Sequence, residues 1–180
     1  PEEYGDYFAW GETTPKSTYN WSTYKWCKGS YNTQTKYCTD SDYGKVDNKT
    51  ILELSDDAAN VNWGTSWRMP TIAEQDELRN TNYTTWTWTT QNGVKGYKVT
   101  SKINGNSIFL PAAGERDRSD LYNAGSFGYY WSSSLYTYGS GYAYDLGFDS
   151  SSVRSYSDSR YYGLSVRPVL AKPFIMSVSE

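Results

Sequence analysis

The chain has 180 residues, a formal net charge of −3 and an aromatic content of 18%, with 19 tyrosines and 8 tryptophans. Its length suits one ordinary domain with its own core, and it lacks the basic excess of proteins that bind nucleic acid or anionic lipid. No apolar run reaches the roughly 20 residues of a membrane-spanning helix. We therefore expect neither nucleic-acid binding nor membrane insertion.

We predict one domain over residues 1–170, with a long ordered insertion loop at about 13–50 and a tail at 171–180. No signal peptide is visible, and we interpret the sequence as an excised mature fragment. A disulfide between Cys27 and Cys38 would close a loop, adding about 2–3 kcal/mol, and would fit a secreted protein. The alternative is two free thiols. Their spacing, in a chain without histidine, matches no zinc site.

A short helix is predicted over residues 51–64. Ser55 can cap its N-terminus, and Asp56 and Asp57 then lie in the first turn, where the helix dipole favours negative charge. Gly64 can end the helix, because glycine readily adopts the left-handed conformation found after a last turn. The insertion loop is therefore expected to lead directly into this helix.

A second helix is predicted over residues 67–80. Thr71 and Glu74 have the spacing of a capping box, in which each side chain binds the backbone N–H of the other. Ile72, Gln75 and Leu78 recur at helical spacing, so one face of this helix is expected to pack against the core.

Strands are predicted over residues 93–101 and 106–114, joined by a turn at Asn104–Gly105. Residues 143–148 alternate in polarity as a half-buried strand does. Residues 165–169 are expected to close the sheet, with a local irregularity at their proline. Two helices followed by hairpins predict an α+β fold.

The segment from Arg116 to Leu170 uses a restricted set of amino acids. Residues 1–115 contain nine Lys, seven Glu, three Gln and one Met, whereas these 55 residues contain none of the four types. NNC codons encode Tyr, Ser, Asp, Gly and Arg but not Lys, Glu, Gln, Met or Trp. We interpret the segment as one in which AAC codons have been randomised at their adenines, with Trp131 as a constant position. The simpler alternative is a polar loop region that favours tyrosine and serine.

Six short motifs occur in order along the chain: GDYFAWGE, DDAANVNWG, WRMPT, IFLPAAGER, GYYWSSS and GLSVRPV. Together they resemble the Bacteroides-type family related to the Fibrobacter succinogenes major paralogous domain, whose members serve as variable proteins of diversity-generating retroelements. The resemblance covers residues 4–169 and implies a C-type lectin-like fold of the formylglycine-generating-enzyme type. It implies a stable scaffold that displays a hypervariable region, about 116–165, rewritten by a reverse transcriptase. Members usually carry a further strand before the first motif, which this sequence does not show.

Alternation and apolar character divide this region into a constant framework and a variable surface. The expected framework is Leu121, Ala124, Gly125, Gly128, Tyr130, Trp131, Ala143, Leu146, Phe148, Val153, Gly163, Val166 and Arg167. Arg167 is expected to be buried and paired, and Tyr144 is placed in the core because it alternates with Leu146. The predicted ligand-binding positions are Asp117, Ser119, Asp120, Tyr122, Phe127, Tyr129, Tyr136, Tyr138, Tyr142, Asp145, Asp149, Tyr156, Asp158, Tyr161 and Tyr162. We expect these to lie on one exposed surface, although each has the simpler interpretation of a side chain half-packed on the sheet.

A face rich in Tyr, Ser and Gly has the chemistry of an antibody paratope. We therefore predict a non-enzymatic binding protein without metal or cofactor, extracellular, at the cell surface or in a phage virion, whose ligand is a protein or glycan on a cell or phage surface. One alternative is a calcium-dependent lectin using Asp145, Asp149 and Asp158, although the Glu-Pro-Asn and Trp-Asn-Asp signatures are absent. An enzyme of the formylglycine-generating type fits less well, because both cysteines lie early and no histidine is present. A structural surface or pilus-associated module is a further alternative.

Overall fold

The computed structural model describes residues 2–171, which form two helices and four small antiparallel sheets. The helices are α1 (Ala58–Trp63) and α2 (Ile72–Arg79), with 3₁₀ turns at Ser41–Tyr43 and Leu54–Asp56. This is the predicted α+β class. No helix within the described part of the chain is long and apolar enough to cross a membrane. Apart from its first residue, the predicted tail lies outside the described residues.

Within the described residues the sheets are small and antiparallel. Their orders are β1-β10, β2-β3-β4, β5-β6 and β7-β8-β9. The strands are β1 (Trp67–Arg68), β2 (Thr84–Gln91), β3 (Val94–Ser101), β4 (Ser107–Pro111), β5 (Glu115–Asp117), β6 (Asp120–Tyr122), β7 (Gly128–Leu135), β8 (Tyr142–Phe148), β9 (Val153–Ser159) and β10 (Val169–Leu170).

Helix α1 begins later than predicted, and its cap is Asp57 rather than Ser55. The buried Asp57 carboxylate accepts hydrogen bonds from the backbone N–H groups of Ala59 at 2.8 Å and Asn60 at 3.1 Å. It also accepts one from the N–H of Met69, 2.8 Å away. This contact twelve residues along the chain binds the helix to the next strand. Gly64 ends the helix as predicted, with φ of 95°.

Helix α2 has the predicted capping box. The Thr71 hydroxyl accepts from the N–H of Glu74 at 3.3 Å, and the Glu74 carboxylate accepts from the N–H of Thr71 at 2.9 Å. The prediction that this helix starts at Trp67 is wrong, because Trp67–Arg68 forms strand β1 and pairs with β10. The residue before a proline is disfavoured in helical conformation, so the chain stays extended up to Pro70.

Strands β3 and β4 form the predicted hairpin, and Asn104–Gly105 lies in the loop between them, but β4 ends at Pro111 rather than at the predicted Gly114. Strand β2 was not predicted, although Asn92–Gly93 joins it to β3 with φ of 48° and 85°, as in a type I′ turn. Residues 165–169 do not simply close the sheet. Val169 and Leu170 form β10 against β1, while Ser165 makes a single parallel bridge to Tyr130.

The region of the predicted insertion loop contains little regular structure but buries several rings. Between residues 13 and 50 the described chain has one 3₁₀ turn and isolated bridges. Tyr19, Tyr24 and Tyr37 are nonetheless almost inaccessible to solvent. These aromatic side chains fix the loop to the rest of the core, because each ring removes a large apolar area from water.

Cys27 and Cys38 are free thiols, so the predicted disulfide is not present. The Cys27 thiol donates to the backbone oxygen of Trp21 and the Cys38 thiol donates to that of Asp40, both at 3.1 Å. Cys27 packs against the cluster that contains Tyr24. Each thiol is therefore held by its own local contacts.

The sheet of β7, β8 and β9 positions the candidate site. On one of its faces, Tyr130, Leu146 and Phe148 belong to a core cluster with side chains of β3 and β4. The opposite face carries Asp145, which pairs in register with Trp131 on β7 and Tyr156 on β9. Part of this second face is left open to solvent.

Candidate ligand-binding site

An aromatic pocket of about 290 Å³ opens on the second face of the β7-β8-β9 sheet. Four aromatic residues among the predicted ligand-binding positions form its walls, and Phe148, whose ring packs in the core on the other face, also contributes to the lining. These four are Phe127, Tyr129, Tyr156 and Tyr162. Two acidic side chains complete the lining: Asp158, which is a fifth predicted ligand-binding position, and Glu115. The pocket therefore combines ring faces with carboxylates.

The rings of the pocket are held in place by packing. Phe127 and Tyr129 stack with centroids 6.1 Å apart and an interplanar angle of 4°. Gly147 lies between Tyr129 and Tyr156, and a Cβ at this position would come within 2.5 Å of the Tyr156 ring. The absence of a side chain at Gly147 thus lets the Tyr156 ring lie across strand β8.

Three carboxyl groups from three strands lie in or beside the pocket. Burial, together with the nearby carboxylate of Asp158, raises the pKa of Glu115 to about 7. Burial also raises the pKa of Asp158 to about 6. Burial, followed by the charges of Asp158 and Glu115, raises the pKa of Asp145 well above its usual range. Near neutral pH the three groups therefore compete for protons.

Asp145 is a correction to the predicted exposed surface, because its side chain is fully buried, with 0% exposure. Neither of its carboxylate oxygens has a hydrogen-bond partner among the described residues. Strand alternation puts its side chain on the same face as Tyr156, its partner in register. It lies where the core around Trp131 meets the pocket. Among residues 2–171, no set of three or more His, Cys, Asp or Glu side chains is arranged to hold a metal ion.

A second tyrosine cluster lies on the other face of the same sheet. Tyr136 contacts the rings of Tyr138, Tyr142 and Tyr144 at centroid distances of 5.6, 6.4 and 5.2 Å. Tyr142 and Tyr144 alternate with Asp145, so they point away from the pocket. The expectation of one continuous surface is therefore wrong. Tyr144 is half-buried within this cluster rather than in the core.

The remaining predicted positions do not line this pocket. Ser119, Asp120 and Tyr122 are exposed on the β5-β6 hairpin. Tyr161 is half-buried and packs on Tyr162, with ring centroids 4.7 Å apart. Asp117 is half-buried, opposite Asp120.

Asp149 has a turn-forming role between β8 and β9. Its carboxylate accepts hydrogen bonds from the backbone N–H groups of Ser151 at 2.6 Å and Ser152 at 3.0 Å. The Ser151 hydroxyl, which also donates to this carboxylate at 2.7 Å, and these two N–H groups lower the pKa of Asp149. An aspartate that binds its own backbone two residues ahead favours a tight turn, so this side chain has a structural explanation.

Most of the predicted framework is inaccessible to solvent. The buried members are Gly128, Tyr130, Trp131, Ala143, Leu146, Phe148 and Gly163, and the half-buried members are Gly125, Val153 and Val166. Leu121 and Ala124 are exposed, because both lie in or just after the short β5-β6 hairpin. Arg167 is half-buried and forms no ion pair with a described residue. The expectation for these three residues is wrong.

The buried arginine is instead Arg160, which the sequence analysis did not identify. Its Nε donates to the hydroxyl of Tyr24 at 2.9 Å. Its terminal nitrogens donate to the backbone oxygens of Tyr37, Ser140 and Lys36 at 3.1, 2.7 and 3.0 Å. Arg160 thereby joins the loop region to the end of β9, over more than a hundred residues of sequence. No local sequence pattern marks it.

Glu115 was also missed, although a signal for it exists. It is the last glutamate before the segment that lacks this residue type, and NNC codons cannot encode it. Its carboxyl group lines the pocket beside Asp158, so it belongs to the candidate site.

The fold and pocket define an α+β protein with a tyrosine-lined, acidic recess on a small antiparallel sheet. The family model described as "Domain of unknown function (DUF8237)" matches residues 70–169, which is more than half of the chain. The chain therefore belongs to this domain family. The match includes β2–β9 and all the pocket residues. Searches of the curated proteins and of the solved structures found no significant match.

Proposed function

We propose that the protein is a ligand-binding display protein of the diversity-generating retroelement type, with a C-type lectin-like fold. Its partner is a protein or glycan on a cell or phage surface, and it acts outside the cell, at the cell surface or in a phage virion. Binding, not catalysis, is its role. The proposal extends the motif resemblance to the residues that line the pocket.

The observation that carries the proposal is the origin of the pocket walls. Phe127, Tyr129, Tyr156 and Tyr162 all belong to the segment without Lys, Glu, Gln or Met. Tyrosine provides a large amphipathic contact with little loss of conformational entropy, which suits recognition of changing partners. The sheet beneath these rings packs on a core that includes Trp131 and Leu146, so the backbone is supported independently of the rings.

The first test is the DNA around the gene. We expect a reverse transcriptase gene beside a near-identical template repeat that carries AAC codons at the predicted variable positions. Variable positions in related loci should then coincide with exposed side chains such as Tyr138 and Tyr156, which are 82% and 41% exposed. A locus with neither a template repeat nor NNC enrichment would contradict the proposal.

The second test measures how well the scaffold tolerates change. A library that randomises Tyr122, Tyr138 and Tyr156 is expected to yield mostly folded members, because exposed substitutions usually change stability by less than about 0.5 kcal/mol. A matched library at the buried Trp131 and Leu146 is expected to yield mostly unfolded members, since truncation of core side chains costs about 2–5 kcal/mol. Proteolysis of displayed proteins reports both fractions. Equal folded fractions in the two libraries would argue against a display scaffold.

A further inference from the structure

The buried carboxyl group of Asp145 has an unusual environment for an ionisable group. Its side chain is inaccessible to solvent and both oxygens lack a hydrogen-bond partner among the described residues. Buried charges in proteins are normally paired or hydrogen-bonded, because removing an ion from water is costly. Its own backbone N–H makes only the smallest contribution to its pKa. The described side chains around Asp145 therefore do not offset the cost of burying its carboxyl group.

The neighbouring acidic groups add to this imbalance. Glu115 and Asp158 line the pocket, and both raise the pKa of Asp145 electrostatically. The Asn123 side chain donates a long hydrogen bond of 3.4 Å to Glu115. Within residues 2–171, no lysine or arginine forms an ion pair with any of the three carboxylates. The pocket is thus an acidic site without a built-in counter-ion.

The aromatic walls of the pocket suit an organic cation. Phe127, Tyr129, Tyr156 and Tyr162 present aromatic rings, and the negative face of such a ring attracts ammonium and guanidinium groups. The volume of about 290 Å³ lies at the lower end of pockets that enclose whole small ligands, about 300–1,000 Å³. A small organic group carried by a ligand can therefore enter it.

We infer that the pocket binds one organic cation, an alkylammonium or guanidinium group carried by the ligand, which Glu115 and Asp158 contact and the buried Asp145 stabilises from below. The inference rests on the proposed function, since it names the chemical group that the binding surface selects. On this view the rings supply adaptable contacts, while the acidic groups supply a charge preference. Glu115, which NNC codons cannot encode, makes that preference common to sister variants.

The test uses the full chain labelled with 3-fluorotyrosine and three probes of similar shape. These are n-butylguanidinium, n-butylammonium and the neutral n-butylurea. Fluorine NMR follows Tyr129, Tyr156 and Tyr162, each assigned by its Tyr→Phe variant. We expect both cations to shift these resonances, with a Kd about tenfold lower than that of n-butylurea. Equal Kd values for the neutral and charged probes would overturn the inference. A calcium titration that shifts the same resonances with a lower Kd than either organic cation would also overturn it.

Charge-removing variants locate the effect. Glu115→Gln and Asp145→Asn are each expected to remove most of the roughly tenfold preference for the cations, whereas Glu77→Gln, on the exposed side of α2, should leave it unchanged. Retained binding of n-butylurea shows that a variant still has a folded pocket. A preference that persists in both pocket variants would overturn the inference.

The source of the cation is decided with peptides selected from a display library. If a peptide side chain is the source, acetylation of its lysine should weaken binding about tenfold. If free amines are the source, acetylation should have no effect while n-butylammonium still binds. The proposed function fails separately, through an absent template repeat or an intolerant surface library. If selected ligands bind through Tyr156 but carry no positive charge, the inference of a bound cation is refuted while the proposed function stands.

Discussion

Two buried ionisable side chains, Arg160 and Asp145, have contrasting environments. Both side chains are inaccessible to solvent. Arg160 donates to a tyrosine hydroxyl and three backbone oxygens at 2.7–3.1 Å, and its guanidinium lies over the ring of Trp10 at 4.9 Å. Asp145 has no partner for either oxygen among the described residues. An ionisable group whose hydrogen-bond partners come from the protein itself stabilises the scaffold, whereas one without such partners is available to a ligand.

The largest expected effect is at Arg160. We predict that Arg160→Met destabilises the fold by about 3–5 kcal/mol, because it leaves several buried oxygens without donors. Urea unfolding followed by tryptophan fluorescence measures the change. Arg154→Met is the matched control, since Arg154 is an exposed arginine on the same strand region, and it should change stability by less than about 0.5 kcal/mol. Similar losses in both variants would contradict the structural role of Arg160.

Asp57 is the aspartate to compare with Asp145, because it is also buried but has three backbone donors. We predict that Asp57→Ala costs about 2 kcal/mol, since the cap of α1 and the bond to Met69 are lost together. The free energy of unfolding in urea again provides the measurement. Ser55→Ala serves as the control, because Ser55 is exposed and does not cap the helix. A cost at Ser55 equal to that at Asp57 would restore the original assignment of the cap.

Asp145 should respond with the opposite sign. We predict that Asp145→Asn raises the free energy of unfolding by about 1 kcal/mol above neutral pH, because a neutral amide is less costly to bury than an unpaired carboxylate. The comparison of Asp145→Asn with Asp57→Ala in the same urea series tests this difference directly. Strong destabilisation by Asp145→Asn would mean that the carboxylate has a structural partner.

The smallest effect is the pH dependence of the acidic pocket. The pKa of Glu115 rises from 4.5 to about 7 on folding and that of Asp158 rises from 3.8 to about 6, so the folded state binds these protons more tightly. Their stabilising contribution is complete below the unfolded pKa values and is lost as pH rises through about 6 to 7. Partial exposure of Glu115 keeps the change small, since solvent screens its charge.

Thermal unfolding in buffers of constant ionic strength measures this slope. The Glu115→Gln/Asp158→Asn double variant should show a flatter profile between about pH 5 and pH 8 than the unmodified chain. Glu74→Gln is a suitable contrast, because the ion pair with Arg68 lowers the pKa of Glu74 to about 2, outside this interval. An unchanged slope in the double variant would show that the pocket carboxyls do not titrate as described.

Features that depend on near neighbours could be predicted from the amino-acid sequence alone. The Thr71–Glu74 capping box, the turn at Asn104–Gly105 and the end of α1 at Gly64 are all present in the structure. Each rests on contacts within a few residues, which the local order of side chains specifies. The α+β class followed from the same signals, and so did most of the buried framework.

The burial of ionisable side chains and the division of the tyrosines between two faces depend instead on long-range packing. Asp145 alternates like a surface residue, but Trp131 and Tyr156 flank it in register from β7 and β9. Arg160 is held by Tyr24, which is 136 residues away. Burial depends on what other parts of the chain place around a side chain, and strand pairing over long separations sets those neighbours. The sequence of a single segment therefore does not indicate how much free energy it costs to bury a charged side chain within it.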